Sequence, residues 1–173
     1  MYLWTYFSAA EGWDIHAATT REGICRLNIW SGEAAFLAAL GKDFPGRTWR
    51  RDDRCETLVE ARRQLEEYFA GARRGFDLPL DLPGTPYQRR VWAELLRIPY
   101  GETRTYAELA RRTDSVPRAA GQANGRNPVA VVVPCHRVVN VGGGLGGYGG
   151  GLDRKRRLLD LESRARILTA AAR

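Results

Sequence analysis

Pro134-Cys135-His136-Arg137-Val138 puts a thiol and an imidazole side by side in one turn. An unbroken apolar run, Val129-Ala130-Val131-Val132-Val133, leads into it, and a glycine-rich loop from Gly142 to Gly151 follows. A buried segment that ends in a Cys-His turn, with pliable backbone beyond, suits a thiolate nucleophile on a pocket floor with a base beside it. The imidazole, directly or through a water, draws off the thiol proton and leaves the reactive thiolate. A buried structural thiol is the commoner fate of an unpaired cysteine, and a lone histidine is as readily a satisfied core residue. The two together raise the nucleophile reading. A carboxylate that orients the imidazole would complete a Cys–His–acid arrangement. Glu162, on a C-terminal helix, is the best candidate; its bland alternative is a solvated helix carboxylate.

Several classes are excluded early. The chain has 173 residues, enough for one sizeable core or two small lobes sharing one. Its hydrophobic content of 44% predicts a folded chain. No apolar run approaches a membrane span. The N-terminal residues lack a signal-peptide layout, so a soluble protein of the cytoplasm is expected, nucleoid-associated if bacterial or archaeal. Three cysteines, Cys25, Cys55 and Cys135, are too few and odd in number for a secreted disulfide framework; a Cys25–Cys55 pair is open but not predicted. With no Cys-x-x-Cys pair and only His16 and His136 as histidines, no metal site is expected, and no cofactor motif is present.

The net charge of +7 is unevenly spread. Residues 86–173 carry 16 Lys and Arg against 7 Asp and Glu, whereas residues 1–85 carry 11 against 13. A basic second half predicts a polyanion partner for that half.

The supporting elements follow from periodicity. Tyr2, Trp4 and Tyr6 share one strand face, and residues 23–30 alternate Ile24, Arg26 and Asn28 against Cys25, Leu27 and Ile29. With residues 13–17 between them, this predicts a small antiparallel meander. Ser31 is read as the cap of a helix from Gly32 to Leu40 that Gly41 stops. A longer helix, about 56–70, carries the stripe Leu58, Ala61, Leu65 and Tyr68/Phe69 and ends at Gly71. Phe76, Leu78 and Leu80 suggest a last strand. Leu82-Pro83-Gly84-Thr85-Pro86 marks a boundary, giving an α/β lobe over 1–82 and a mainly helical lobe over 83–173.

In the second lobe Thr85 caps a helix with Pro86 at its first position, and Tyr87, Val91, Leu95 and Ile98 form its stripe. Thr105 and Glu108 make a capping box for a helix from Tyr106 to Arg112. A third helix starts at Ser115-Val116-Pro117 and ends at Gly125, with small residues at Ala119, Ala120, Gly121 and Ala123. Two short helices and a tight turn in the basic half fit a DNA-binding helix-turn-helix and, equally, a plain close helix–helix contact. Asp153 is read as the cap of the last helix.

The run Gly84-Thr85-Pro86-Tyr87-Gln88, Val91-Trp92, Ile98-Pro99-Tyr100-Gly101-Glu102-Thr103, Tyr106 and Leu109-Ala110 resembles the O6-alkylguanine-DNA alkyltransferases, the methylated-DNA–protein-cysteine methyltransferases. So do Arg118-Ala119-Ala120-Gly121, Ala123-Asn124, Asn127-Pro128, Pro134 to Val138, Gly147-Tyr148, Gly150-Gly151-Leu152 and residues 158–162. The resemblance covers about residues 83–163. It implies a single-turnover transferase without cofactor or metal, acting on O6-alkylguanine in duplex DNA through the minor groove after base flipping, with no membrane and no obligate protein partner. Cys135 would accept the alkyl group, His136 would deprotonate it through a water, and Glu162 would orient His136. Asn127 would shape the turn into the active-site loop. Tyr106 would contact the target nucleotide's phosphate and guanine and donate a proton to the departing base. Arg118 would fill the gap left by the flipped base, with Ala119, Gly121, Asn124 and Arg126 also on the DNA- and substrate-binding side. Tyr148, Gly149 and the Val138 backbone would line the guanine pocket.

Three departures stand out. The stretch between Leu109-Ala110 and Arg118 is shorter than is usual in the family. Gly149 replaces a frequent serine. The zinc ligands of the human-type N-terminal lobe are not evident. Rival readings are a non-catalytic lesion binder, which would lack the acceptor cysteine, a thiol hydrolase, which would turn over, and a helix-turn-helix regulator, which would bind one operator.

Overall fold

The structure is a computed structural model that describes residues 1–9 and 12–171. The chain forms two compact units: Met1–Pro83 with Pro128–Ala130, and Gly84–Asn127 with the chain from Val131 onward.

The first unit is a four-stranded sheet in the order β3-β2-β1-β4. Strands β1 (Leu3–Ala9), β2 (Trp13–Thr19) and β3 (Ile24–Asn28) form the expected antiparallel meander. The expectation of a purely antiparallel sheet needs correction, because β4 (Arg50–Arg51) joins β1 in parallel. Two exposed arginines carry no strand pattern, so only the backbone pairing reveals it. Both sheet faces are covered. Trp4, Ala18 and Cys25 pack with Phe36 and Leu40 of α1 (Glu33–Asp43). On the other side Trp13 stacks on Phe69 of α2 (Glu56–Phe69), ring centroids 4.8 Å apart.

Helix α1 corrects two expectations. Ser31 does not cap it; its hydroxyl accepts from Asn28, and Gly32 occupies the cap without a side-chain bond. Gly41 lies inside the helix, where one glycine costs only about 1 kcal/mol. The stop comes at Phe44, which precedes Pro45 and is thereby kept out of the helical region. The proposed strand over Phe76–Leu80 shrinks to a single bridge, Ile24 with Leu80, since Pro79 has no N–H to donate.

That bridge depends on one glycine. Gly23 has φ +144°, and a Cβ built there would meet the Pro79 carbonyl oxygen at 2.3 Å, beside the Ile24 N–H···O=C Pro79 bond of 2.8 Å.

The second unit holds α3 (Pro86–Leu96), α4 (Tyr106–Arg112), α5 (Pro117–Gly125) and α6 (Leu152–Ala171). Complete capping boxes start α3 (Thr85 with Gln88) and α4 (Thr105 with Glu108). The α4–α5 turn is tight. Asp114 takes φ 49°, Thr113 Oγ1 donates to the Leu109 carbonyl at 2.9 Å, and the Tyr87 hydroxyl donates to Ser115 at 2.8 Å. Trp92 of α3 lies at the centre, donating Nε1–H to the Ala123 carbonyl of α5 at 2.9 Å. The first residue of α6 is Leu152, so Asp153 sits in its first turn and faces solvent rather than capping it. No helix of the described residues is long and apolar enough to cross a membrane.

Gly23→Ala forces the 76–81 segment off β3. Urea unfolding is expected to show a loss of about 1–3 kcal/mol, the usual cost of a side chain in a glycine-only conformation, while the same change at Gly75, which has open space around it, stays near neutral.

Candidate active site

Local geometry lifts the Cys-His turn into place. Residues Val129 to Val133 are all buried, yet Val131 adopts φ 71°, a conformation a β-branched residue avoids. Asn127 Nδ2 spans the bend and donates to the Val133 carbonyl at 2.8 Å. Cys135–Arg137 then form one 3-10 turn, opened by the Cys135 N–H to the Val133 carbonyl at 2.8 Å. Directly after it β6 (Val138–Val139) pairs in parallel with β5 (Arg104–Thr105). That pairing brings Tyr106, the first residue of α4, alongside the nucleophile's turn.

Cys135 is 5% exposed. Burial pushes its thiol up, opposed by a hydrogen bond from Asn127 and the charge of Lys155. His136 and Glu162 are wholly buried, with Nε2 of the imidazole 2.9 Å from Glu162 Oε1. The carboxylate takes three further groups. Arg137 meets both its oxygens, Nε to Oε2 at 3.0 Å and Nη2 to Oε1 at 2.8 Å, and the Gly101 N–H donates to Oε2 at 3.0 Å. Burial alone would raise the Glu162 carboxyl, but the hydrogen bonds from His136 and Arg137 hold it at about 2. Burial likewise lowers His136, against the pull of Glu162. The carboxylate is thus ionised and acceptor-only, so Nε2 carries the proton. Nδ1, buried and without a hydrogen-bond partner among the described residues, keeps its lone pair. A neutral imidazole with a free lone pair, adjacent in the chain to a thiol, has the protonation state that a general base needs.

The structure brings Cys135, His136, Glu162, Asn127 and Tyr106 into one unit. Tyr106 donates its hydroxyl to the Gly147 carbonyl at 3.3 Å, and its ring lies against Gly146 and Gly121. Burial raises its hydroxyl, which stays protonated at neutral pH. Arg118 is exposed on the first turn of α5, Arg126 is exposed just past its end, and Ala119 and Gly121 are half-buried between them. Tyr148 is half-buried and Gly149 exposed in the glycine loop. Asn124 lies on the Cys135 and Tyr106 side of α5. It is 4% exposed and faces inward, with Nδ2 3.4 Å from the Cys135 carbonyl and a hydrogen bond to Tyr106. The Val138 backbone is also spoken for, its N–H by the Cys135 carbonyl and its carbonyl by Lys155.

Sequence reasoning left two side chains without a role. Arg137 stood in the motif unassigned, and Lys155 was passed over. Lys155, Leu158 and Glu162 fall at i, i+3 and i+7 on α6 and share its buried face, a spacing that could have flagged the lysine. Among the described residues no cluster of His, Cys, Asp and Glu could hold a metal ion, and all three cysteines are free thiols.

Both acidic shifts weaken the fold in acid. A carboxyl or imidazole depressed by folding contributes stability that is full above its ordinary value and is lost as pH falls through the folded one. For His136 the loss begins near 6.5, and for Glu162 it runs from 4.5 towards about 2. Denaturant unfolding at stepped pH is expected to show this acid limb. Glu162→Gln strands the buried Arg137 charge, lowers neutral-pH stability by about 3–5 kcal/mol, and narrows the gap to wild type as pH drops.

Known proteins resemble this chain in sequence and fold. Residues 86–164 match the family model of the 6-O-methylguanine DNA methyltransferase DNA binding domain, and residues 2–82 match that of its ribonuclease-like domain. A methylated-DNA–protein-cysteine methyltransferase of Mycolicibacterium paratuberculosis is 54% identical over 123 residues, covering 69% of this chain and 73% of that protein. One from Methanosarcina acetivorans is 54% identical over 109 residues, covering 62% of this chain and 70% of that protein. The crystal structure of Mycobacterium tuberculosis OGT in complex with DNA aligns at a TM-score of 0.80 and 39% identity over 94% of both chains. Two matched domains, a neighbour of the same fold over nearly the full length, and a Cys-His turn backed by a buried carboxylate lead to one assignment: the chain belongs to the methylated-DNA–protein-cysteine methyltransferase family.

Proposed function

We propose that this protein repairs O6-alkylguanine in duplex DNA by moving the alkyl group, once per molecule, onto Cys135. The buried Cys135–His136–Glu162 arrangement inside a unit that also carries the helix-turn-helix is the observation behind this reading.

The thiol proton passes through a water to His136 Nδ1, the ring nitrogen that Glu162 leaves available. The thiolate attacks the alkyl carbon, forming an S–C bond as the C–O6 bond breaks. The electron pair stays with the base, which takes up a proton and leaves as guanine, so the proton lost by the thiol is balanced by the one gained by the base. Tyr106, protonated and beside the pocket, supplies that proton locally and recovers one from solvent. The product is a thioether, which neither water nor imidazole cleaves, so each molecule reacts once.

The target carbon is inside the stack, so the nucleotide must flip out. Arg118, exposed on the first turn of α5, would enter the duplex and occupy the gap, with α5 docking in the minor groove, where sequence readout is poor and suits a lesion scanner. Tyr148, Gly149 and the turn at Val138 wall the guanine pocket. The basic second half adds affinity that does not depend on sequence and weakens with salt. A cytoplasmic setting, beside the DNA, goes with this reading, and no further protein is required.

Incubation with duplex DNA carrying O6-methylguanine tests it by intact mass. The expected result is a stoichiometric gain of one methyl in place of one hydrogen, absent in Cys135→Ser. Unmodified protein that still binds the lesion would make it a lesion-recognition relative, and repeated turnover would make it a hydrolase.

A further inference from the structure

The turn between α4 and α5, shorter than is usual in the family, ends in an apolar tip. Val116 and Pro117 are both exposed there, Val116 by 62%, immediately ahead of the exposed Arg118. The backbone beneath the tip is firmly held. The Ser115 N–H donates to the Ala110 carbonyl at 3.0 Å, and the Val116 carbonyl accepts the Ala120 N–H at 3.0 Å. The Ser115 hydroxyl accepts from Tyr87 and lies 3.1 Å from that of Thr113. Pro117 fixes its own φ and keeps Val116 extended, at φ −106° and ψ 152°. Val116 is thus held in solvent by its own backbone.

The fold gains nothing from this valine. It is the N-cap of α5 and makes no side-chain cap bond, whereas Thr85 and Thr105 open α3 and α4 with complete capping boxes. Valine is among the poorest caps. An exposed valine by itself is ordinary. One that takes the place of a cap, at the head of the helix read as entering DNA, has another explanation. Minor-groove proteins push apolar side chains between base steps and partly unstack them. Two residues apart, the Val116 and Arg118 Cα atoms lie within about 7.6 Å of each other, about two base steps of about 3.4 Å each. A side chain at 116 therefore reaches the steps beside the one that Arg118 enters.

We propose that Val116, backed by Pro117, is an apolar wedge that packs in the minor groove against the base step beside the flipped nucleotide and helps to unstack it, while Arg118 holds the gap. This rests on the reading of α5 as the helix that docks on DNA. The wedge carries no charge, so it adds nothing to the part of the affinity that salt removes. Because it works by unstacking, it favours a base pair already weakened by damage over an intact one.

The test uses the full chain with Cys135→Ser, which leaves the lesion unreacted. It is titrated onto duplex DNA carrying O6-methylguanine with 2-aminopurine as the neighbouring base, whose fluorescence rises on unstacking. Val116→Ser in this background is expected to weaken lesion binding about threefold to tenfold, the worth of part of a valine side chain. It is also expected to cut the fluorescence rise and to leave the slope of log affinity against log salt unchanged. Val116→Leu, larger and still apolar, is expected to keep both binding and fluorescence. Serine at the N-cap supplies the missing cap bond, so Val116→Ser is expected to melt about 1–4 °C higher. Weaker flipping in a more stable protein separates the wedge from a structural residue. A lower melting temperature together with lower fluorescence would overturn the proposal, as would wild-type binding and fluorescence in Val116→Ser. An equal loss on lesion and undamaged duplex, with the fluorescence rise intact, marks a general contact and overturns it too. Methyl transfer to Cys135 in the unaltered chain is measured alongside. Its absence sinks the repair reading, whereas transfer with an indifferent Val116 sinks the wedge alone.

Discussion

Glu162 lies without solvent contact between the His136 imidazole and the Arg137 guanidinium, and the charge count at that point decides what the neighbouring thiol can do. A buried carboxylate with only a histidine beside it would pull that histidine towards imidazolium, and an imidazolium cannot accept a proton. Arg137 supplies the balancing charge instead. With Arg137 on both carboxylate oxygens and Gly101 on one of them, the carboxylate is satisfied, and His136 remains a neutral donor through Nε2. The bond to Glu162 then fixes ring orientation and tautomer together. Arg137 is anchored in turn by the Ile98 carbonyl at 2.6 Å, so the end of α3, the Cys-His turn and α6 close on one another through this carboxylate.

The backbone around the turn is arranged for the same end. Val131 is held left-handed within a buried apolar run, and such a residue persists only where its surroundings over-determine it. Here Asn127 bridges the bend, and Cys135 accepts from Asn124 and Val138 through its carbonyl. The short β5–β6 pair fixes the distance from that turn to Tyr106. A site made for a single reaction gains nothing from flexibility after chemistry, and its parts are tied by backbone and buried polar bonds accordingly.

Features encoded within one turn of chain were legible in the sequence. The Thr85 cap of α3, the capping box and bounds of α4, and the stripe of α2 follow from residues within four positions of one another. Features set by distant partners were not. Nothing in Arg50-Arg51 marks a strand until β1 lies beside it, and Pro79 decides the fate of the 76–80 segment against the period-two pattern around it. Gly41 reads as a helix stop only until Phe44-Pro45 is weighed against it. At the site, residue types announced Cys135, His136 and Glu162, whereas the inward turn of Asn124 and the counter-ion role of Arg137 depend on folded geometry.

The state of His136 is the point on which the account turns. Nitrogen-15 spectra of imidazole-labelled protein report it directly, and with only His16 and His136 in the chain a His16→Gln sample assigns the signals. At neutral pH the account predicts a protonated, pyrrole-type Nε2 and an unprotonated, pyridine-type Nδ1 for His136. A doubly protonated ring, or the proton on Nδ1, would contradict it.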